Sequence, residues 1–232
     1  MGLLDAFQPA SQSKKDSSLI AAAMKGDLAG VTQLLGEGAD INARDDQGKT
    51  ALYWALRNNQ DDVGELLLAK NADTNIPDKE GVTPLHRECE KVGTFFLETL
   101  LEKGAKVDAR DNSGAMPLHY AACKGWLMTV ELLLGKDADI NAQDNRGWTP
   151  LAWAAKHGNV NALEKLLEHG ADIMIPGKDG LTPAARAGKH PKAASLLEPL
   201  EQKKREELEV SLRNAPVLEH SLRIRKPIRL KF

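Results

Sequence analysis

Two histidine–cysteine pairs are the residues of this chain that are best suited to metal chemistry. Cys89 follows His86 by three residues, and Cys123 comes shortly after His119. Imidazole and thiolate groups are the ligands that zinc prefers in proteins. The spacing of these four residues, however, matches no known four-ligand zinc pattern. We therefore expect His86 and His119 to serve the structure, and we assign no metal to the chain.

Other kinds of site chemistry are not recognisable in the sequence. It contains no glycine loop that would cradle a phosphate, no nucleophile elbow and no zinc-peptidase helix. A covalent mechanism would need a nucleophile beside a general base, and no such pair is visible. The sequence thus predicts a protein that is not an enzyme and has no cofactor.

Composition narrows the class of protein further. The 232 residues include 31 Lys and Arg against 33 Asp and Glu, a net charge of -2, which argues against a globally basic nucleic-acid binder. Aromatic residues make up only 4%, so the core must be built from leucine and alanine. Two cysteines are too few for a disulfide framework, and we find neither a secretory signal nor an apolar stretch of membrane length. We expect a cytoplasmic protein in a reducing environment.

The strongest pattern in the sequence is a period of 33 residues. It is marked by glycines at Gly48, Gly81, Gly114, Gly147 and Gly180. A related pentad begins two residues after each glycine, for example Thr-Pro-Leu-His-Arg at 83–87. A run of leucines follows further on and leads into a turn such as Gly-Ala-Asp at 170–172. A fixed period of this length is typical of stacked helical modules.

These residue types predict a unit of turn, helix, turn and helix. The threonine of the pentad can cap the first helix, and proline suits the first helical position because its missing N–H would have no partner there. The leucine run forms one face of a second helix, which a left-handed glycine such as Gly104 ends. Four aspartates stand three residues before a repeat glycine, where a carboxylate can tie a tight turn: Asp45, Asp78, Asp111 and Asp144.

Residues 16–200 resemble an ankyrin repeat array, because the period, the Thr-Pro-Leu-His start and the Gly-Ala-Asp end all match that family. The resemblance implies an all-α repeat solenoid of about six helix-turn-helix repeats with short β-hairpin-like fingers. The fingers and the first helices would line a concave surface, and each unit would be stabilised by its neighbours. We delimit the units as 16–47, 48–80, 81–113, 114–146, 147–179 and a shortened 180–200.

The resemblance also implies where a partner would bind. In this family the contacting residues flank the repeat glycine on the fingers or end the first helix. The corresponding finger residues are Asp46, Gln47, Lys49, Lys79, Glu80, Val82, Asn112, Ser113, Asn145, Arg146 and Trp148. The corresponding helix residues are Arg57, Glu90, Lys91, Lys124, Lys156 and His157.

Two features of the array leave alternatives open. Trp148 beside Arg146 is a typical hot-spot pair for a partner, but its ring could instead pack on the neighbouring finger. Arg87 and Glu88 stand where other units have an aromatic residue and alanine, so they either pair locally or offer charge to a partner. Structural hydrogen bonds are expected from the asparagines of the inter-unit loops, Asn42, Asn75 and Asn141.

The segments that flank the array differ from it. Residues 1–15 are predicted to be flexible. Residues 201–232 carry nine basic and five acidic residues, a charge of +4 against -6 for residues 1–200. We expect residues 201–213 to extend the last helix until Asn214-Ala215-Pro216 breaks it.

The last residues of the chain alternate between apolar and basic side chains, which is the periodicity of a strand. Such an arm could dock on nucleic acid, on acidic lipid or on the sheet edge of a partner, or it could fold back on its own array. The alternating residues are Leu222, Arg223, Ile224, Arg225, Ile228, Arg229, Leu230, Lys231 and Phe232.

The sequence therefore predicts a non-catalytic protein–protein interaction module that acts as a scaffold, adaptor or inhibitor. It would bind another protein on the concave surface of fingers and first helices. The alternative is an adaptor whose basic C-terminal tail docks on nucleic acid, acidic lipid or a partner's sheet edge. We expect the chain to be monomeric outside such a complex.

Overall fold

The computed structural model describes residues 10–91, 93 and 95–214 of the chain. Within these residues it contains twelve α-helices and no strand, which confirms the all-α class. We call the odd-numbered helices the first helices of the six units and the even-numbered ones the second helices. They are α1 (Ala10–Lys25), α2 (Leu28–Gly36), α3 (Ala51–Arg57), α4 (Asp61–Ala69), α5 (Pro84–Glu88), α6 (Phe95–Glu102), α7 (Pro117–Lys124), α8 (Leu127–Leu134), α9 (Pro150–His157), α10 (Val160–Glu168), α11 (Pro183–Arg186) and α12 (Pro191–Asn214).

The helix ends follow the local chemistry that the sequence predicts. The hydroxyl of Thr149 accepts a hydrogen bond from the backbone N–H of Ala152, and proline opens each of the helices α5, α7, α9 and α11. The second helices α2, α4, α6, α8 and α10 end at left-handed residues. Two of these are not glycine, namely Asn71 at φ 60° and Asp137 at φ 61°. Short polar side chains tolerate this conformation best after glycine.

The core is a continuous layer of small and branched apolar side chains between the stacked units. Each first helix packs against the next, and α8 packs against α10 and α10 against α12. Alanines such as Ala121 and Ala154 are fully buried, which lets neighbouring helices approach closely. The leucine that follows the capping residue by two positions is fully buried in four successive units, at Leu52, Leu85, Leu118 and Leu151.

An aspartate ties each regular finger to the first helix that follows the finger in the chain. One carboxylate oxygen of Asp144 accepts hydrogen bonds from the backbone N–H groups of Arg146 and Trp148. The other accepts a hydrogen bond from Trp153 Nε1 at 3.1 Å. Burial alone would raise the pKa of Asp144, but these hydrogen bonds hold it below its ordinary value. The same bond from the helix recurs as Trp54 Nε1 to Asp45 at 2.8 Å and Tyr120 hydroxyl to Asp111 at 2.6 Å.

Backbone hydrogen bonds then join each finger to the next. The N–H of Lys79 donates to the carbonyl of Gln47 at 2.9 Å, and that of Asn145 donates to the carbonyl of Ser113 at 2.8 Å. Equivalent bonds connect Asn112 with Glu80 and Lys178 with Arg146. The fingers therefore form a ladder that holds their backbones in one arrangement.

The histidines and loop asparagines connect neighbouring units, as the sequence predicts. Nε2 of His86 lies 3.2 Å from the carbonyl oxygen of Ala115, and Nε2 of His119 lies 3.0 Å from that of Trp148. The side-chain oxygens of three loop asparagines accept backbone N–H groups of the following unit, at Asn42, Asn75 and Asn141.

The two ends of the array differ in part from the sequence prediction. Helix α1 begins at Ala10, so the predicted flexible segment is wrong for residues 10–15. Contacts with the end of α2 order this stretch: Lys15 Nζ donates to the Glu37 carbonyl at 2.8 Å, and Gln12 Nε2 donates to the Gly38 carbonyl at 3.0 Å. At the other end, α12 continues to Asn214 as expected.

Helix α12 continues past Pro199, although proline removes one helical hydrogen bond. Glu201, two residues after this proline, is buried and accepts hydrogen bonds from the Thr182 hydroxyl at 3.0 Å and from Arg205 Nη2 at 2.5 Å. This contact docks the extension on unit six. The first helix of that unit is short, and a 3₁₀ turn at Ala187–Lys189 follows it.

The third unit is irregular because charged residues replace its ring. Helix α5 has only five residues, and Arg87 pairs with Glu90 instead of reaching the finger aspartate. Burial raises the pKa of Glu88, while Lys91 Nζ at 2.8 Å from its carboxylate counteracts that rise. Local ion pairing, the first of the two interpretations, is therefore confirmed.

Tyr120→Phe should lower the free energy of unfolding by about 1.5–3 kcal/mol, since it removes a hydrogen bond to the ionised Asp111 carboxylate. Tyr53→Phe is the matched control. Its hydroxyl is buried and forms no hydrogen bond of normal geometry with the described residues, although the Arg87 guanidinium is close enough to interact with it. Urea unfolding at neutral pH measures both, and equal losses would contradict the anchoring role.

Acid should destabilise the array through His119. Burial lowers the pKa of this imidazole from 6.5 to about 4, so the unfolded chain takes up a proton in this pH range while the folded chain does not. The free energy of unfolding should fall by about 2 kcal/mol from this group between pH 7.5 and pH 5. Urea unfolding at the two pH values should show a smaller fall for His119→Gln. His169→Gln, which removes an exposed imidazole, controls for the loss of a histidine.

Candidate functional site

Twelve of the predicted contact residues are exposed along the fingers and at the ends of the first helices. We call this surface the inner groove. Its backbone is held by the finger ladder and by the stacked first helices, whereas its side chains point to solvent. The exposed members are Asp46, Gln47, Lys79, Glu80, Asn112, Ser113, Asn145 and Arg146 on the fingers and Arg57, Lys124, Lys156 and His157 on the helices.

The prediction that Val82 contacts a partner is wrong, because its side chain is only 4% exposed. Its backbone N–H donates to Asp78, and its carbonyl accepts the N–H of Asp78, so the returning arm of the finger is held against the protein. Ala115, at the same position one unit later, is also fully buried. The residue after the repeat glycine is thus a packing position in these two units.

Four other predicted residues are partly buried and already have partners. Glu90 pairs with Arg87, and Lys91 pairs with Glu88 and also donates to the carbonyl of Leu56. Lys49 Nζ lies 5.1 Å from the centre of the Trp54 ring. The fourth, Trp148, has a more extensive set of contacts.

The ring of Trp148 lies between two guanidinium groups. The Cζ atoms of Arg146 and Arg186 are 4.0 and 3.9 Å from its centroid. A Cβ atom on Gly177 would come within 2.9 Å of the ring and 2.3 Å of Arg186 Nη2, so a larger residue there would displace the guanidinium from its present position. Trp148 therefore packs between the fingers of units five and six, and its role toward a partner stays a prediction.

Arg186 takes the place of the anchoring ring in unit six. The position held by Trp153 one unit earlier is arginine here, and its Nη2 donates to Asp179 at 2.5 Å. This hydrogen bond lowers the pKa of the Asp179 carboxyl. Gly177 stands where the other fingers have their aspartate, so the last finger is anchored by a different pair of residues.

A cavity of about 380 Å³ opens between units five and six and joins the two predicted parts of the groove. Among its lining residues are the finger residue Trp148, the helix residue Lys156, the acidic Asp179 and, from unit six, Leu181, Arg186 and Lys189. The sequence analysis missed the last three. The period would have found two of them, since Leu181 and Lys189 lie 33 residues after Trp148 and Lys156.

The family model for ankyrin repeats, in three copies, matches residues 19–111 and 91–177, which is more than half of the chain. The chain belongs to the ankyrin repeat family. Ankyrin repeats are in general protein–protein interaction modules, and the family is typically non-catalytic. In the described part of this ankyrin repeat chain, no helix is both long enough and apolar enough to cross a membrane.

Two curated relatives match this chain over a short stretch. Over 58 residues, 25% of the chain, it is 47% identical to the mitochondrial disaggregase of Bos taurus. Over 58 residues it is 43% identical to the mitochondrial disaggregase of Homo sapiens. These matches cover 9% and 8% of the two relatives, so the chain spans less than a tenth of their length.

The histidine–cysteine pairs do not form a common site in the described residues, where no three His, Cys, Asp or Glu side chains lie close enough to share a metal ion. Both nitrogens of His86 and His119 are engaged with backbone or threonine atoms. Burial raises the pKa of the Cys89 thiol well above its usual value. The predicted tail arm, residues 222–232, lies outside the described residues.

Trp148→Ala should loosen unit six locally, because it removes the ring on which Arg146 and Arg186 stack. We expect faster amide hydrogen exchange in α11 and α12 and little change in α1 to α6. Met128→Ala removes an apolar side chain that is 69% exposed and serves as the control. Unchanged exchange in unit six of the Trp148 variant would show that the stacking is not structural.

Proposed function

We propose that this chain is a non-catalytic scaffold, adaptor or inhibitor that binds a partner protein in the inner groove. The observation that carries the proposal is the contrast between backbone and side chains there. Inter-finger hydrogen bonds hold the backbone, while twelve side chains of mixed charge and polarity face solvent. A surface whose backbone is already ordered loses little conformational entropy when it binds, which favours recognition by such a surface.

The groove residues differ in whether their side chains also bond to the protein itself, and this difference supports the proposal. Asn112 and Asn145 use their amide nitrogens to bond the preceding finger, whereas Gln47, Glu80 and Lys124 form no side-chain hydrogen bond or ion pair with the described residues. Exposed side chains without a packing role are free to provide specificity. The disaggregase activity in the relatives' names is no part of the proposal, because the match covers less than a tenth of those proteins.

The proposal includes a reducing intracellular location and a monomeric state before binding. Both cysteines are free thiols, Cys89 buried and Cys123 partly buried, which agrees with the location.

Capture of partners from a lysate tests the groove. Gln47→Ala/Glu80→Ala/Lys124→Ala in the full chain should reduce the recovery of specific partners at least about fivefold in quantitative mass spectrometry, since contacts near the centre of an interface carry most of its binding energy. The same chain with Asn161→Ala/Glu65→Ala/Lys136→Ala provides the control.

That control variant removes an amide, an acid and a lysine from exposed positions on or after the second helices, away from the groove. It should capture partners as the wild type does. If the groove variant retains every partner, or if both variants lose them equally, the inner groove is not the binding surface.

A further inference from the structure

Two lysines line the cavity between units five and six, together with Arg186 and a single acidic residue, Asp179. Arg186 pairs with Asp179 there, and Arg146 above it pairs with Asp144 at 3.2 Å. Lys156 and Lys189 form no ion pair with any described residue. The cavity therefore carries positive charge that the described residues do not compensate.

The backbones of these lysines are held in place. Lys156 lies in the last turn of α9, and Lys189 ends the 3₁₀ turn that follows α11. Nε2 of the next residue, His190, lies 3.0 Å from the carbonyl oxygen of Lys156, which joins the two positions. Cations at helix C-termini are also favoured by the helix dipole, so a purely structural role for the lysines must be tested separately.

An exposed apolar patch lies beside the two charges. Leu181 is 46% exposed, and part of the Trp148 ring is exposed at the same cavity. Gly188 leaves the wall open, since a Cβ atom there would meet nothing within 4 Å. The cavity thus offers an open apolar surface beside the two lysines, which an apolar side chain of a ligand can cover.

Charge changes sign along the array. Unit one, residues 16–47, has two basic and six acidic residues, whereas residues 180–200 of unit six have three basic and one acidic. An acidic ligand is therefore repelled at the first unit and attracted at the last, which gives the groove a direction.

We propose that the cavity anchors an acidic segment of a partner protein in which carboxylates flank an apolar side chain. The carboxylates pair with Lys156 and Lys189, and the apolar side chain covers Leu181 and the exposed part of Trp148. The inference rests on the proposed function and adds the chemistry and the orientation of the partner, with its acidic segment at units five and six.

Selection from a phage library that displays random peptides of about twelve residues tests this inference on the full chain. Selected peptides should be enriched in Asp and Glu next to Leu, Ile or Phe. Their affinity should fall at least about tenfold in Lys156→Ala/Lys189→Ala and should weaken with added salt. Lys156→Glu/Lys189→Glu should instead select basic peptides, a reversal that a role at the helix ends alone would not produce.

The matched control is Lys70→Ala/Lys103→Ala, which removes two exposed lysines after the second helices α4 and α6 and changes the net charge equally. It should keep the affinity of the wild type. All variants retain the basic tail, so peptides that bind there would bind every variant alike and would overturn the inference. Peptides without acidic enrichment, or a mixed-sequence oligonucleotide whose binding depends more strongly on Lys156 and Lys189 than peptide binding does, would overturn it too.

Partner capture separates this inference from the function on which it rests. A partner that is lost from the Gln47/Glu80/Lys124 variant but kept by Lys156→Ala/Lys189→Ala would contradict the acidic anchor and leave the protein-binding function standing. A partner kept by both variants would contradict both.

Discussion

A carboxylate that joins each regular finger to the first helix following it is the interaction on which the regular part of the array depends. Asp144 makes the complete set of hydrogen bonds: one oxygen accepts from two finger N–H groups, and the other accepts from Nε1 of Trp153. A finger has no core of its own, and a helix of eight residues is not stable alone in water. The carboxylate gives both a fixed relative position, from which stacking on the next unit can proceed.

Each finger presents the same N–H and carbonyl groups to the next finger, and the ladder from Gln47 to Lys178 continues through units three and six, which lack the ring anchor. His86 and His119 add bonds to the carbonyls of the following fingers. Polar backbone groups that would otherwise be buried without partners are satisfied in this way. Groove side chains such as Gln47, Glu80 and Lys124, which form no side-chain hydrogen bond or ion pair with the described residues, can then differ from unit to unit.

Units three and six break the rule, and they do so differently. In unit three, Arg87 turns to Glu90, and the first helix is only five residues long. In unit six, the missing carboxylate at Gly177 makes room for Arg186 against Trp148, and this packing creates one wall of the cavity. The loss of the standard anchor in the last unit is thus connected directly with the site that we propose for an acidic partner.

The sequence by itself determined the family, the six units, the helix caps and most of the groove, because each depends on chemistry within one period: a threonine cap, a proline start, a left-handed turn, a carboxylate over a tight turn. Only the tertiary structure decided that Val82 is buried, that Trp148 is held between two arginines, and that α1 begins at Ala10. Two of these outcomes need contacts between residues more than twenty positions apart, namely Arg186 with Trp148 and Lys15 with Glu37. The burial of Val82 depends on how the returning arm of its finger is held against the protein. A repeat pattern specifies what all units share, whereas burial and cavities depend on which particular side chains meet across each interface.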